Sequence, residues 1–253
     1  MLTAAAWGLI QGLTEFLPVS SSGHLVLIPA LLGFEEPSLA ASVMLHLGTL
    51  LAVVAYYRTD LLRLLHLRRD PEARRILLLL AIGTVPAALV GLTLHGPVET
   101  VFSEPWLVAV ALMVTGAILL FSLLVGKGVR RLAEGRWTDG VVVGLAQAFA
   151  LLPGISRSGM TIAAGMAQGF QRKEAARFAF LLSIPAIAGA ALLDGMDLVE
   201  RGGFTSDLLL GMAVAAVVGY LTIAALIRVL TRVGLLPFAL YCLAFGTAAY
   251  FLL

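Results

Sequence analysis

Apolar residues fill the chain in long uninterrupted runs, and polar positions are gathered into a few short breaks. Stretches without Asp, Glu, Lys or Arg run Pro37–Tyr57, Ile76–Val98, Trp106–Gly126, Phe178–Leu193, Leu208–Ile227 and Val233–Leu253. A bilayer core about 30 Å thick takes about 20 apolar residues of helix, so these runs predict six spanning helices. Phe178–Leu193 is short, and the aliphatic stem of Arg177 can extend it toward the interface. Two further apolar stretches do not fit simple spans. Trp7–Phe34 carries Glu15, Pro18, Ser20, Ser21, Ser22, Gly23 and His24. Gly140–Phe170 carries Gln147, Pro153, Gly154, Ser156, Arg157, Ser158 and Gly159. Proline followed by glycine and serines breaks a helix. Broken backbone at membrane depth needs protein or a watery cavity around it. Both stretches are therefore predicted to be re-entrant helical hairpins in an all-α integral membrane fold.

The two broken stretches look like copies. Gly8-Leu9-x-Gln11 matches Gly144-Leu145-x-Gln147, and Ser20-x-Ser22-Gly23 matches Ser156-x-Ser158-Gly159, both at an offset of 136 residues. Each copy precedes three predicted spans, and an odd number of spans turns the second copy upside down. The expected plan is one structural domain made of a first repeat (1–126), a cytoplasmic connecting loop (127–139) and an inverted second repeat (140–253).

Loop charge tests this plan without using the match. Arg58, Arg63, Arg68, Arg69, Arg74 and Arg75 make one loop basic, and Lys127, Arg130, Arg131 and Arg136 do the same mid-chain. Arg172, Lys173 and Arg177, then Arg228 and Arg232, follow the same side. The opposite loops hold Glu35, Glu36, Glu99, Glu104, Asp194, Asp197, Glu200 and Asp207 against Arg201. The positive-inside rule places the basic loops in the cytoplasm. Both termini then face outside, and the hairpins enter from opposite sides with their tips near the midplane, an inverted-repeat arrangement.

Composition agrees with a membrane solvent: 60% of the residues are hydrophobic and 13% charged, about half the charge of a soluble domain. A net charge of +2, spread over short loops, does not point to nucleic acid. The single Cys242 excludes a disulfide framework and a Cys-rich metal site. The first charged residue is Glu15, so the basic start of a cleavable signal is missing. Trp7, Trp106 and Trp137 lie near segment ends and are expected at the interfaces.

Glu15, His24 and Arg157 are ionisable residues at membrane depth, each costing about 2.5–3.5 kcal/mol to insert, so each needs a partner or a task. Ser20, Ser21, Ser22, Ser156, Ser158 and Thr161 surround them with hydroxyls. Gln11 and Glu15 share a helix face. Helix N-termini at two Gly/Ser turns suit an anion, and the guanidinium fork of Arg157 suits phosphate. Two readings fit. The ensemble is a phosphate pocket with an acid/base pair and hydroxyl nucleophiles, or Glu15 and Arg157 are a structural ion pair and the serines cap helices.

Gln11-Gly12-Leu13-Thr14-Glu15-Phe16-Leu17-Pro18-Val19-Ser20-Ser21-Ser22-Gly23-His24 resembles the first signature of the bacterial undecaprenyl-pyrophosphate phosphatase family, the bacitracin-resistance type. Leu152-Pro153-Gly154-Ile155-Ser156-Arg157-Ser158-Gly159-Met160-Thr161 resembles its second. Weaker matches at Leu47–Val53, Thr84–Ala87, Ser183–Ala186 and Leu236–Ala239 extend the resemblance over nearly the whole chain. The resemblance implies a bacterial inner-membrane hydrolase that converts the lipid pyrophosphate to the monophosphate and recycles the carrier for cell-wall synthesis. It implies catalytic roles for Glu15 and His24, Ser21 as a candidate nucleophile, and pyrophosphate binding by Arg157. Gln11, Ser20, Ser22, Gln147, Ser156, Ser158 and Thr161 are the expected substrate-binding set. It also implies a divalent cation, Mg²⁺ or Ca²⁺, at Glu15, although Gln11 stands where many members carry a second Glu. His46 stands where Gln is expected, and it suits a packed neutral ring as well as a site member. Expected partners are the membrane and a polyprenyl pyrophosphate lipid, with a second copy of the chain as a further candidate and no nucleic acid.

Two rivals remain distinct. Acid-phosphatase-like lipid phosphatases also use Ser-Gly-His but need a later His, and no His follows His95. His66 and His95 fall at loop positions and are expected to be solvated. A lipid or small-molecule transporter would share the inverted repeat but has no need of the Glu15/Ser21/His24 group.

Overall fold

The structure, a computed structural model, describes residues 1–93, 104–124, 128–200 and 205–253, with backbone alone for 194–200. Readings that fall on His95, Glu99, Lys127 and Arg201, and on the side chains of Asp194, Asp197 and Glu200, lie outside the described residues. Among those described, the chain forms eleven α-helices: α1 (Leu2–Thr14), α2 (Ser21–Leu32), α3 (Leu39–Tyr56), α4 (Arg58–Leu64), α5 (Pro71–Thr93), α6 (Pro105–Phe121), α7 (Trp137–Phe149), α8 (Arg157–Ala167), α9 (Arg172–Glu200), α10 (Ser206–Arg232) and α11 (Leu236–Leu252). Helices α3, α5, α6, α9 and α10 are long and apolar enough to cross a membrane.

The apolar runs locate these helices, and the structure corrects several of their limits. Phe178–Leu193 is the middle of the 29-residue α9, because the charged turn at Arg172, Lys173 and Glu174 is helical too. The run Val233–Leu253 yields a 17-residue helix. Gly234 adopts φ 90°, which interrupts the backbone between α10 and α11. The basic stretch Arg58–Arg75 is not a loop throughout: it contains α4 and the first turn of α5. Trp7 is not an interfacial anchor. It is only 8% exposed and packs with Leu25, Leu45 and Ala215, whereas Trp106 and Trp137 are exposed.

Without a hydrophobic drive between helices in lipid, packing relies on small residues that let backbones touch. α1 lies on α10 and α7 lies on α5. A Cβ on Gly8 would meet the Gly211 carbonyl at 2.5 Å, and one on Gly144 would meet the Gly83 carbonyl at 2.6 Å. α3 packs on α10, and α6 packs on α11.

The helix breaks between α1 and α2 and between α7 and α8 end in matched caps. Ser20 Oγ accepts from Gly23 N–H at 3.2 Å, and Ser156 Oγ accepts from Gly159 N–H at 3.1 Å. Ser20 holds φ 66°, the one non-glycine residue at positive φ among the described residues, and such a conformation is strained. In the second break the positive φ falls on Gly154, at 89°. There a Cβ would lie 2.4 Å from the Val108 carbonyl, so only glycine fits. Thr115 of α6 pins this turn: its hydroxyl donates to Gly154 O at 3.0 Å and accepts from Ser156 N–H at 3.1 Å. The two breaks touch, with Ser158 Oγ donating to Leu17 O at 2.9 Å.

Candidate functional site

Where the breaks meet, one carboxylate collects donors from both halves of the chain. Glu15 ends α1, and its side chain is 3% exposed. Oε1 accepts from the Arg157 guanidinium, which comes from the start of α8. Oε2 accepts from the Ser21 hydroxyl at the start of α2 and from Gln11 Nε2 at 2.9 Å. The i,i+4 spacing of Gln11 and Glu15 places the amide over the acid. His46 of α3 adds a ring nitrogen 3.7 Å from Oε2. Every group that hydrogen-bonds the Glu15 carboxylate donates to it, which suits the ionised acid.

The remaining predicted residues divide by task. Ser20 and Ser156 are buried and spend their hydroxyls as caps. Ser22 Oγ lies 3.3 Å from Ser20 Oγ, and Ser158 joins the two breaks. Thr161 donates back to Arg157 O at 2.7 Å and so fastens the first turn of α8. Gln147 is buried with neither amide atom paired, and Gln11 Oε1 is likewise unpaired. Each cap takes one N–H, so other first-turn N–H groups of α2 and α8 have no partner within their own helices.

His24 belongs to a different set of contacts. Its Nδ1 lies 2.8 Å from Ser20 O, and its Nε2 lies 2.7 Å from the Tyr241 hydroxyl. A carbonyl only accepts, so Nδ1 carries the hydrogen and the neutral ring accepts the Tyr241 O–H at Nε2. Phe245 stacks on the ring with centroids 5.1 Å apart. His24 thus reaches across to α11 and makes no described hydrogen bond to Glu15, Ser21 or Arg157.

A sequence profile described as "Bacitracin resistance protein BacA" matches residues 4–248. The chain belongs to this family. It is 45% identical to the undecaprenyl-diphosphatase of Alcanivorax borkumensis, over 98% of this chain and 97% of that one. It is 43% identical to the undecaprenyl-diphosphatase of Trichlorobacter lovleyi, over 100% and 97% of the two chains. The Geobacter metallireducens undecaprenyl-diphosphatase is 44% identical over 97% and 95%.

In this member of the bacitracin resistance family, a protein-built divalent-cation site does not fit. Among the described residues, no group of three or more His, Cys, Asp or Glu side chains converges. Glu15 is the one acid of the cluster, and a guanidinium, a hydroxyl and an amide already occupy its two oxygens. Gln11, in place of a second acid, offers one uncommitted amide oxygen.

Sequence reasoning missed Tyr241 in this neighbourhood and left His46 open between a packed ring and a site member. His46 was legible only as an ambiguous ring, because its approach to Glu15 depends on how α3 packs against α1. Tyr241 gave one signal, a hydroxyl inside an apolar run, but its partner His24 lies 217 residues away.

Proposed function

We propose that this chain hydrolyses undecaprenyl pyrophosphate to the lipid monophosphate and inorganic phosphate at the Glu15–Ser21–Arg157 cluster. The observation that carries the reading is the Ser21 hydroxyl bound to one oxygen of a buried carboxylate whose other oxygen holds Arg157. That is a nucleophile, a base and an anion holder in contact. In the proposed reaction Ser21 Oγ attacks the terminal phosphorus, and its proton passes to Glu15 Oε2. The bond from that phosphorus to the bridging oxygen breaks, and the lipid monophosphate leaves with the electron pair. Water then cleaves the phosphoserine and releases phosphate. Arg157 turns from Glu15 toward the non-bridging oxygens, which both holds the substrate and frees the base. No step is routed through a metal ion. Release of phosphate from undecaprenyl pyrophosphate by the purified protein in detergent tests the reading. A transporter needs two compartments, so an inactive detergent-solubilised protein would favour the rival.

His24 and Tyr241 form a second proton site beside the nucleophile. Tyr241→Phe keeps the ring and removes the hydroxyl. We expect kcat to fall about tenfold, the scale of one hydrogen bond, with KM little changed. A Tyr241→Phe enzyme with wild-type kcat across the pH range shows that this hydroxyl takes no part in turnover.

We further infer six spans and two re-entrant pairs, α1/α2 and α7/α8, in an inverted repeat within the bacterial inner membrane. α11 joins the five longer helices as the sixth span, since 17 residues reach about 26 Å. Packing supports an internal two-fold relation. A Cβ on Gly116 would press on Ala239 and Leu243, while one on Gly246 would press on Ala109 and Met113. Gly116 and Gly246, Ala109 and Ala239, and Met113 and Leu243 are each 130 residues apart, so the α6–α11 contact repeats itself on exchange. The crossed packing of α1 on α10 and α7 on α5 repeats in the same way. In a Cys242→Ala background, single cysteines at Glu36 and Arg68 should label from opposite sides of intact cells and inverted vesicles. Labelling from the same side removes the topology.

A further inference from the structure

A polar cavity lies away from the Glu15 cluster, at the other end of α3. His46 stands in the first half of that helix and Tyr56 at its end, about 15 Å further along at 1.5 Å per residue. There Tyr56 and Tyr57, with residues of α4, α9 and α10, line a cavity of about 590 Å³. Its walls hold four cations, Arg63, Lys173, Arg177 and Arg228, against two acids, Asp60 and Glu174.

The ion pairs decide what charge is left for a ligand. Arg177 takes both acids, pairing with Asp60 and lying 3.3 Å from Glu174. Arg63 turns outward to Asp70 at 2.8 Å and Glu72 at 3.3 Å. Lys173 and Arg228 are exposed on the cavity wall with no salt bridge among the described residues. The cavity therefore offers an anion two uncommitted positive charges from two different helices, with tyrosine rings beside them.

The floor is different. Ala224 and Ile227 of α10 are apolar, and below them Tyr220 packs its ring 5.4 Å from Tyr56. Along the same strip of α10, Leu221 and Val217 are more than 60% exposed. A cationic mouth above an apolar strip matches an amphiphile with an anionic head. It also lies on the side of the basic loops, where anionic lipid phosphates attract Lys and Arg.

We propose that this cavity is a second anion site, separate from the Glu15–Ser21–Arg157 cluster, that takes a phosphate-bearing head group. The shared chemistry is a phosphomonoester dianion, borne by a lipid or arriving as free phosphate. Proximity to both uncommitted charges and to the apolar strip selects it over zwitterionic lipid heads. The site stands independently of the hydrolase reading, because none of its residues belongs to the catalytic cluster.

The test is native mass spectrometry on the full chain in detergent, titrated with dioleoyl phosphatidic acid. Four proteins are compared: wild type, Lys173→Gln/Arg228→Gln, Arg228→Glu and Arg157→Ala. Each surface charge near an anionic head contributes about 1 kcal/mol, so the double variant should bind phosphatidic acid at least about tenfold more weakly. Its thermal midpoint and phosphate release should match wild type. Arg157→Ala should keep the phosphatidic acid affinity, which separates this site from the catalytic one. Arg228→Glu keeps the question open to refutation if the double variant is unstable, and it too should lose affinity. Millimolar inorganic phosphate that displaces the lipid supports the site with free anion as a ligand; no displacement supports it with the lipid alone. Equal phosphatidic acid binding by wild type and both cavity variants overturns the proposal. So does loss in Arg157→Ala only, or equally tight binding of dioleoyl phosphatidylcholine.

Discussion

Purified Arg157→Ala should remain folded and monodisperse and should lose about 10²–10³ of its phosphate-release rate, the cost of about 2.7–4 kcal/mol for one lost transition-state contact. The pyrophosphate brings several negative charges to a site where Glu15 is already buried and ionic. Removing the guanidinium leaves both anions uncompensated. Arg157→Lys should rescue only part of the rate, because an ammonium lacks the planar fork and deprotonates more readily in a dry site. The competing account is a structural ion pair. Breaking a buried pair at one end typically costs about 3–5 kcal/mol of stability, whereas removing both ends is far milder. Thermal unfolding and phosphate release are therefore measured together on wild type, Arg157→Ala, Glu15→Ala and the double variant. Recovery of both stability and activity in the double variant sinks the catalytic assignment. A folded, inactive Arg157→Ala supports it.

Ser21→Ala should be slower still, with turnover down by about 10³ or more, because it removes the atom proposed to form the new bond. Its neighbours provide the control. Ser20 is a cap in strained backbone and Ser22 leans on it. Ser22→Ala should therefore keep most of the rate, and Ser20→Ala should lose stability by about 1 kcal/mol, the usual worth of a serine cap. Rapid-quench incubation with substrate labelled in the terminal phosphate should leave label on wild type and none on Ser21→Ala. A Ser21→Ala enzyme with wild-type turnover would transfer the attack to water or to His24. The second alternative faces a geometric obstacle, since the His24 Nε2 lone pair is engaged by Tyr241.

Much of the architecture follows from local sequence. A run of about 20 residues without charge is about twice the length of a barrel strand and suits helix, in which every backbone N–H and C=O finds its partner within the segment. Hence the spans at α3, α5, α6, α9 and α10 were readable, as were the breaks at Pro18–Ser22 and Pro153–Ser158. Their ends were not, because charged residues such as Lys173 and Glu174 continue a helix as readily as they end a membrane run. The uneven treatment of the two breaks, with positive φ at Ser20 in one and at Gly154 in the other, was also invisible. It depends on the approach of α6, whose Val108 carbonyl leaves room only for glycine.

The site divides in the same way. Chain-local chemistry singled out Glu15, His24 and Arg157, because ionisable side chains in otherwise apolar stretches carry an insertion cost that demands a reason, and Ser21 was set apart from its neighbouring serines only by the family resemblance. Gln11 was placed beside Glu15 by helix periodicity alone. What the tertiary structure decided is which donor meets which acceptor. Arg157 meets Glu15 across 142 residues of chain, and His24 turns to Tyr241 across 217. Helix periodicity reaches only a few residues along the chain, whereas these contacts depend on how the breaks and α11 pack. Residue types and spacing therefore supplied most of the candidate residues and the one local pair, Gln11 with Glu15, and the packing of the two halves decided the long-range pairs, since a hydrogen bond forms only within about 3 Å, however far apart its partners lie in sequence.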